Sequence, residues 1–419
     1  MARMESAVFG RAQMDEQATP YRLGKWSLVL IIAILSGGIF LRAWPTGGLR
    51  GVGYDEGTYS SYVAMAQKEG LWNYGHVVRA YIKSQAKRPD AIVPATRLGF
   101  LVPAAAVAEI TGLKPLAALH AVSLASSILL LLATAVIGFR QGGDARMLVL
   151  TSLTAVAPLQ IHLAQRSLID GYFAFWAVLC AWFLWENLES PRQKGWLAAY
   201  GFSLFALVLT KENAAFVFLA LIIVSAAFAL SKLGRVSLPL VLVSVIAPAF
   251  AVMCLAVLAG GAGEWIAFYR SFVQKSATLS YPIRFQDGPW YRYLVDFTLL
   301  SPCVVALASG ALLQLRKESK PDIFWSLFLG VSFAAMSSVP YGMSLRFAAY
   351  WDLPLRWLAA SQLLQVSRGF ERRWALALLT GSILFLASVD LFQYWRYFVH
   401  GGIYDPVTFE LLRASKLIK

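Results

Sequence analysis

Charge is scarce in this sequence. Only 14% of its 419 residues are Asp, Glu, Lys or Arg, where an ordinary soluble domain carries about a quarter. Cysteine is scarcer still: Cys180, Cys254 and Cys303 each sit inside an apolar run. That pattern excludes a zinc-type or redox cysteine motif and leaves small core filler as the expected role. The histidines His76, His120, His162 and His400 are scattered and show no His-x-x-x-His spacing, so no metal-ligand motif is present. A Gly-rich phosphate loop, a fixed-period repeat and a low-complexity tract are also missing. No obligatory cofactor is expected, and a divalent metal held by acidic side chains is the weaker alternative.

What the chain has instead is long apolar runs, with 58% hydrophobic residues. Such runs fall at 26–44, 115–139, 145–163, 169–186, 195–210, 213–231, 236–259, 292–314, 322–339, 347–366 and 374–397. A span needs about 20 apolar residues to cross roughly 30 Å of hydrocarbon, so the runs predict about eleven transmembrane helices. The expected fold is an all-α polytopic integral membrane protein. Its expected parts are a cytoplasmic tail over 1–24, a membrane domain over 25–398 and a short outer tail over 399–419. Large outer loops are expected at 45–114 and 259–291. The first run is too long for a signal-peptide core, and Pro45-Thr46-Gly47-Gly48 offers no small-x-small cleavage site, so it reads as an uncleaved span.

The formal charge of +14 does not point to nucleic acid, because Lys and Arg are spread over short loops. Arg140 and Arg146, Arg192 and Lys194, Lys232 and Arg235, Arg316, Lys317 and Lys320, and Arg368, Arg372 and Arg373 all fall on one side if 91–111 does not span. That is the positive-inside pattern. Arg97, Pro103 and Glu109 interrupt segment 91–111, which therefore reads as an interfacial helix. The same topology carries most of the acids, Asp55, Glu56, Asp170 and Glu212 among them, to the outer face. Membrane lipid, anionic lipid included, is an expected partner.

Chemistry concentrates first in Gly53-Tyr54-Asp55-Glu56-Gly57-Thr58-Tyr59, which opens a helix just beyond the first span. Adjacent carboxylates at a helix start supply either a cap or a general base, and spacing alone allows both. Gln165-Arg166-Ser167-Leu168-Ile169-Asp170 sets Arg166 four residues before Asp170, so the two are expected on one helical face, as a salt bridge or as cavity groups. Lys211 and Arg346 stand near span ends, where snorkelling and phosphate binding both suit a cation. Lys83, Lys87 and Arg88 are further phosphate candidates that a solvated charge run explains better. Tyr54 and Tyr59 suit either sugar stacking or interface anchoring.

A first span followed by an Asp-Glu pair opening a helix resembles the GT-C fold glycosyltransferases, and within them the protein O-mannosyltransferase and aminoarabinose (lipid A) transferase group, glycosyltransferase family 39. The resemblance extends through Pro94 to Gly138, which is similar to the family's juxtamembrane helix and second span. Arg166 to Asp170 is similar to its Arg-x-x-x-Asp segment, and Leu209-Thr210-Lys211-Glu212-Asn213 to its Leu-Thr-Lys-Gly-Pro motif. Leu345-Arg346-Phe347 through Asp352-Leu353-Pro354 is similar to its late Arg-Tyr…Leu-Pro segment. Glu212-Asn213 departs from the family's Gly-Pro.

The resemblance implies a GT-C membrane fold and transfer of a sugar from a polyprenyl-phosphate donor to a lipid, glycan or protein hydroxyl. It implies catalytic roles for Asp55, Glu56 and Asp170, with Asp55 as base in an inverting displacement. Substrate binding is expected of Tyr54, Tyr59, Arg166, Lys211, Glu212 and Arg346. The expected place is a bacterial inner membrane, with the N-terminus cytoplasmic and the site on the periplasmic face. A non-catalytic subunit on the same scaffold and a polytopic transporter or flippase are the rival classes.

Overall fold

The structure, a computed structural model, describes residues 25–44, 51–88, 93–276, 278–339 and 342–418. The expected tail over 1–24, parts of the first loop (45–50 and 89–92) and residues 277, 340, 341 and 419 lie outside the described residues. Among the described residues there are helices and turns and no strand. The chain opens with α1 (Trp26–Ala43), then α2 (Tyr54–Glu69), α3 (Gly75–Lys87) and α4 (Leu98–Thr111). There follow α5 (Pro115–Ala155), α6 (Pro158–Ala164), α7 (Ile169–Glu189), α8 (Lys194–Thr210), α9 (Ala214–Leu230) and α10 (Leu238–Leu258). The last third holds α11 (Ala262–Ser276), α12 (Arg292–Leu300), α13 (Pro302–Leu313), α14 (Lys320–Ser337), α15 (Asp352–Ser367), α16 (Arg372–Tyr394) and α17 (Thr408–Ala414).

By length and composition, α1, α5, α10 and α16 with its continuation to His400 are able to cross a membrane. Lipid-facing character is plainest on α10. It buries Leu240, Ser244, Ala251 and Leu255 and exposes Leu242, Val245, Ile246, Phe250 and Met253. An apolar surface on that scale suits hydrocarbon rather than water. The centre is α7, which is apolar almost throughout and buried from Ile169 to Phe175 and from Ala177 to Cys180, as an all-round apolar helix must be.

Proline redraws two of the predicted spans. The run 145–163 is not one helix: Ala157 is extended at ψ 113, and α6 starts afresh at Pro158. Ser301, at φ −141 and ψ 64, likewise parts α12 from α13 ahead of Pro302. In both places the proline ring keeps the preceding residue out of the helical region. The run 347–366 begins as a 3-10 turn, Leu345–Trp351, and becomes α15 only at Asp352. Conversely, α5 runs across two predicted spans with a break at Gly143, whose φ of 71 suits glycine.

Segment 91–111 contributes α4. Its 14 residues reach about 21 Å at 1.5 Å each, short of the roughly 30 Å of a bilayer core. It lies against α2, α5 and α8. Arg356 staples α15 to α16 and α5. Its guanidinium pairs with Asp352 at 2.9 Å and Asp390 at 2.7 Å and donates to the Leu153 carbonyl. This accounts for Asp390, an acid in an apolar helix, as the structural half of an ion pair.

Candidate active site

The site is built outward from the start of α2. Gly53 caps the helix, and its N–H donates to Glu56 Oε2 at 2.7 Å. Glu56 also accepts from the Ser167 N–H at 2.7 Å and pairs with Arg166. Both Glu56 and Arg166 are buried. Together they tie the first turn of α2 to the turn ahead of α7, so the cap reading holds for Glu56, which does not line the cavity. Arg166 is not on one helical face with Asp170, because α7 begins only at Ile169. Its guanidinium instead lies 4.7 Å over the Tyr404 ring.

We expect Glu56→Gln to lower thermal stability by about 1–3 kcal/mol, as a buried charged hydrogen bond is lost. Any turnover change should follow the folded fraction. Melting curves of the purified protein beside specific activity test this, and a large activity loss at unchanged stability would sink it.

Asp55, the next position round the helix, turns the other way. Its Oδ2 is 3.1 Å from Arg346 Nη1, and 24% of its side chain stays exposed. Asp170, in the first turn of α7, accepts from Lys211 Nζ at 2.5 Å and stands 3.8 Å from the same Arg346 nitrogen. Lys211 lies in the extended turn between α8 and α9, its ammonium 3.6 Å from the Phe347 ring centroid. Burial pushes that ammonium down to about 8 against the pull of Asp170. Glu212 Oε2 accepts from Arg97 Nη2 at 3.0 Å and from Nε at 3.2 Å.

These groups line one cavity of about 730 Å³. Asp55, Asp170, Glu212 and Asp405 bring four carboxylates to it, and Arg97, Lys211 and Arg346 bring three cations, so one negative charge is in excess. Phe216, Phe272, Val273, Leu279, Met336 and Val339 form an apolar side. A charged end beside an apolar side suits an amphiphile with a polar head.

Of the residues singled out in the sequence, the cavity gathers Tyr54, Asp55, Asp170, Lys211, Glu212 and Arg346. It leaves out Glu56, Arg166 and Tyr59. Tyr59 is fully buried and accepts from Arg97 Nη1 at 2.5 Å, so it backs a cavity residue and stacks on nothing that enters. Lys83, Lys87 and Arg88 are exposed and do not line the cavity.

Three contributors lie outside the sequence reading: Arg97, Tyr404 and Asp405. Asp405 accepts from Arg346 Nε at 3.1 Å, Ser344 Oγ at 2.5 Å, Tyr281 at 3.1 Å and Gln286 at 2.9 Å. The Tyr404 ring lies against Gly53, where a Cβ would come within 2.1 Å of it, so a side chain at position 53 would push the ring aside. Arg97 carried a signal, since a cation inside an apolar run is costly unless paired. Among the described residues no group of three or more His, Cys, Asp or Glu is placed to hold a metal ion.

A helical membrane bundle whose charged cavity lies under short helices following the first span is the GT-C architecture, and the chain has that fold. Solved structures of the same fold include ArnT from Cupriavidus metallidurans bound to undecaprenyl phosphate, with a TM-score of 0.59 at 14% identity over 88% of this chain and 75% of that one. The Archaeoglobus fulgidus oligosaccharyltransferase tethered to an acceptor peptide gives a TM-score of 0.59 at 13% identity, over 89% of this chain and 55% of that one. The same organism's AglB, in complex with an inhibitory peptide and a dolichol-phosphate, gives 0.56 at 12% identity, over 88% of this chain and 55% of that one. No family model matches the chain, and no curated protein does.

Proposed function

We propose that this protein is an integral-membrane glycosyltransferase that takes a sugar from a polyprenyl-phosphate donor and passes it to a hydroxyl of a lipid, glycan or protein. The observation that carries the reading is the cavity itself, where a water-accessible carboxylate, Asp55, meets a buried cation, Arg346, beside an apolar wall. Like-folded proteins bound to undecaprenyl phosphate and dolichol-phosphate support an isoprenoid phosphate as the ligand class.

In this reading Asp55 takes the proton of the acceptor hydroxyl. The acceptor oxygen forms a bond to the anomeric carbon from the face opposite the phosphate. The bond from that carbon to the phosphate oxygen breaks, and the polyprenyl phosphate leaves with the electron pair. Inversion follows from the single displacement. Arg346, Lys211 and Arg97 stabilise the departing charge, as fixed donors in a poorly hydrated site do well, so no obligatory metal is proposed. The cavity end of the bundle would face the periplasm of a bacterial inner membrane.

The test is sugar transfer by the purified protein in liposomes. The donors are a panel of polyprenyl-phosphate sugars, the acceptor is a crude membrane extract, and each assay is run with and without EDTA. Transfer that survives EDTA is expected. Folded protein that moves no sugar from any donor would return the chain to the scaffold or transporter classes.

A further inference from the structure

Three carboxylates share the guanidinium of Arg346, and they are not held alike. Asp405 has donors on both oxygens, from Ser344, Tyr281 and Gln286 as well as Arg346. Asp170 has Lys211 Nζ at 2.5 Å and only 3% of its side chain exposed. Asp55 is bound more lightly. Among the described residues its ion-pair partner is Arg346 alone, and a quarter of its side chain already meets solvent.

The cavity also has no idle cation among its described residues. Lys211 is engaged by Asp170, Arg97 by Glu212, and Arg346 by all three carboxylates. An anion entering therefore competes with a carboxylate for its cation. Displacing Asp405 strands a carboxylate among several donors, and displacing Asp170 strands a buried one, which is strongly unfavourable. Displacing Asp55 breaks one contact and strands the least buried of the three acids, the one that water can reach, so it is the least costly of the three. The yielding partner is therefore Asp55.

We propose that Asp55 is a placeholder on Arg346. The donor's phosphate takes the Nη1 edge of the guanidinium, and its arrival releases the Asp55 carboxylate to receive the acceptor's proton. Asp405 keeps Arg346 in place through Nε while its other edge changes partner. The idea rests on the reading of the protein as a lipid-phosphate glycosyltransferase. It adds an order: the donor binds first, because before it binds the base is engaged.

The experiment measures binding of farnesyl phosphate, an isoprenyl phosphate without a sugar, to the full-length reconstituted protein by calorimetry. Native protein, Asp55→Asn, Asp55→Ala, Glu212→Gln and Arg346→Gln are compared, each first shown to be folded by its melting curve. Both Asp55 variants are expected to bind about three- to tenfold tighter than native, the scale of one lost competing ion pair. Arg346→Gln is expected to lose most of the binding. Native-like or weaker binding by the Asp55 variants overturns the placeholder role and leaves the donor reading standing. An equal gain from Glu212→Gln also overturns it, since the effect would then be general loss of negative charge. No binding by any folded form overturns the donor reading and the placeholder with it.

Discussion

Asp55→Asn is expected to slow sugar transfer by about 10²–10⁴-fold, the usual worth of a positioned general base. Asparagine keeps the size of the side chain and an oxygen for Arg346 Nη1, now 3.1 Å from the carboxylate, but it cannot take a proton. Folding should change little. The variant loses a negative charge near the start of α2, worth about 0.3–1 kcal/mol at an exposed helix end, and Glu56 still caps the helix. The measurement is single-turnover transfer at saturating donor, beside a melting curve. A near-native rate would remove Asp55 as the base and make Asp170 the next residue to vary. Asp170 is less suited to the task, being almost fully enclosed and already bound to Lys211 at 2.5 Å.

Arg346→Ala is expected to be nearly as severe, for a different reason. Three carboxylates lose a shared cation at once, and Asp170 and Asp405 are buried. Breaking a buried pair from one side costs about 3–5 kcal/mol, so the variant should melt earlier as well as lose transfer. Arg346→Lys separates the two effects. A lysine restores one positive charge and should recover much of the stability, but an ammonium has no planar fork to reach Asp405 with one edge and the cavity with the other. Transfer by the lysine variant is expected to stay at least about tenfold below native. Full recovery of transfer would show that charge alone matters at this position.

The helices were legible in the apolar runs because burial in lipid leaves a strong compositional trace. Their interruptions at Ala157 and Ser301 were less so, although Pro158 and Pro302 mark both. Asp55, Asp170, Lys211, Glu212 and Arg346 were legible as a group, since they are charged residues set at the ends of apolar segments. Their partners were not. A salt bridge from Arg166 to Asp170 assumes that the helix already exists at Arg166, but the segment turns there and delivers Arg166 to Glu56. Asp405 stood in a short segment with nothing local to mark it. Its meaning comes from Ser344, Arg346, Tyr281 and Gln286, far away in sequence, and pairing over such distances leaves no periodicity to read.

Asp55, Arg97, Asp170, Lys211, Arg346 and Asp405 come from six separate stretches of chain. None of the pairs among them is formed by neighbours in sequence. During synthesis the ribosome would have delivered Asp55 and Asp170 to the membrane long before their common cation, and Arg346 before Asp405. Until then the acids have only water or a provisional partner. A helix inserted in the wrong orientation would carry its charge to the opposite side of the bilayer and leave the cluster short by one. The complete cluster therefore depends on direction as well as on fold, since it assembles only when the crossings that carry its six members run the right way.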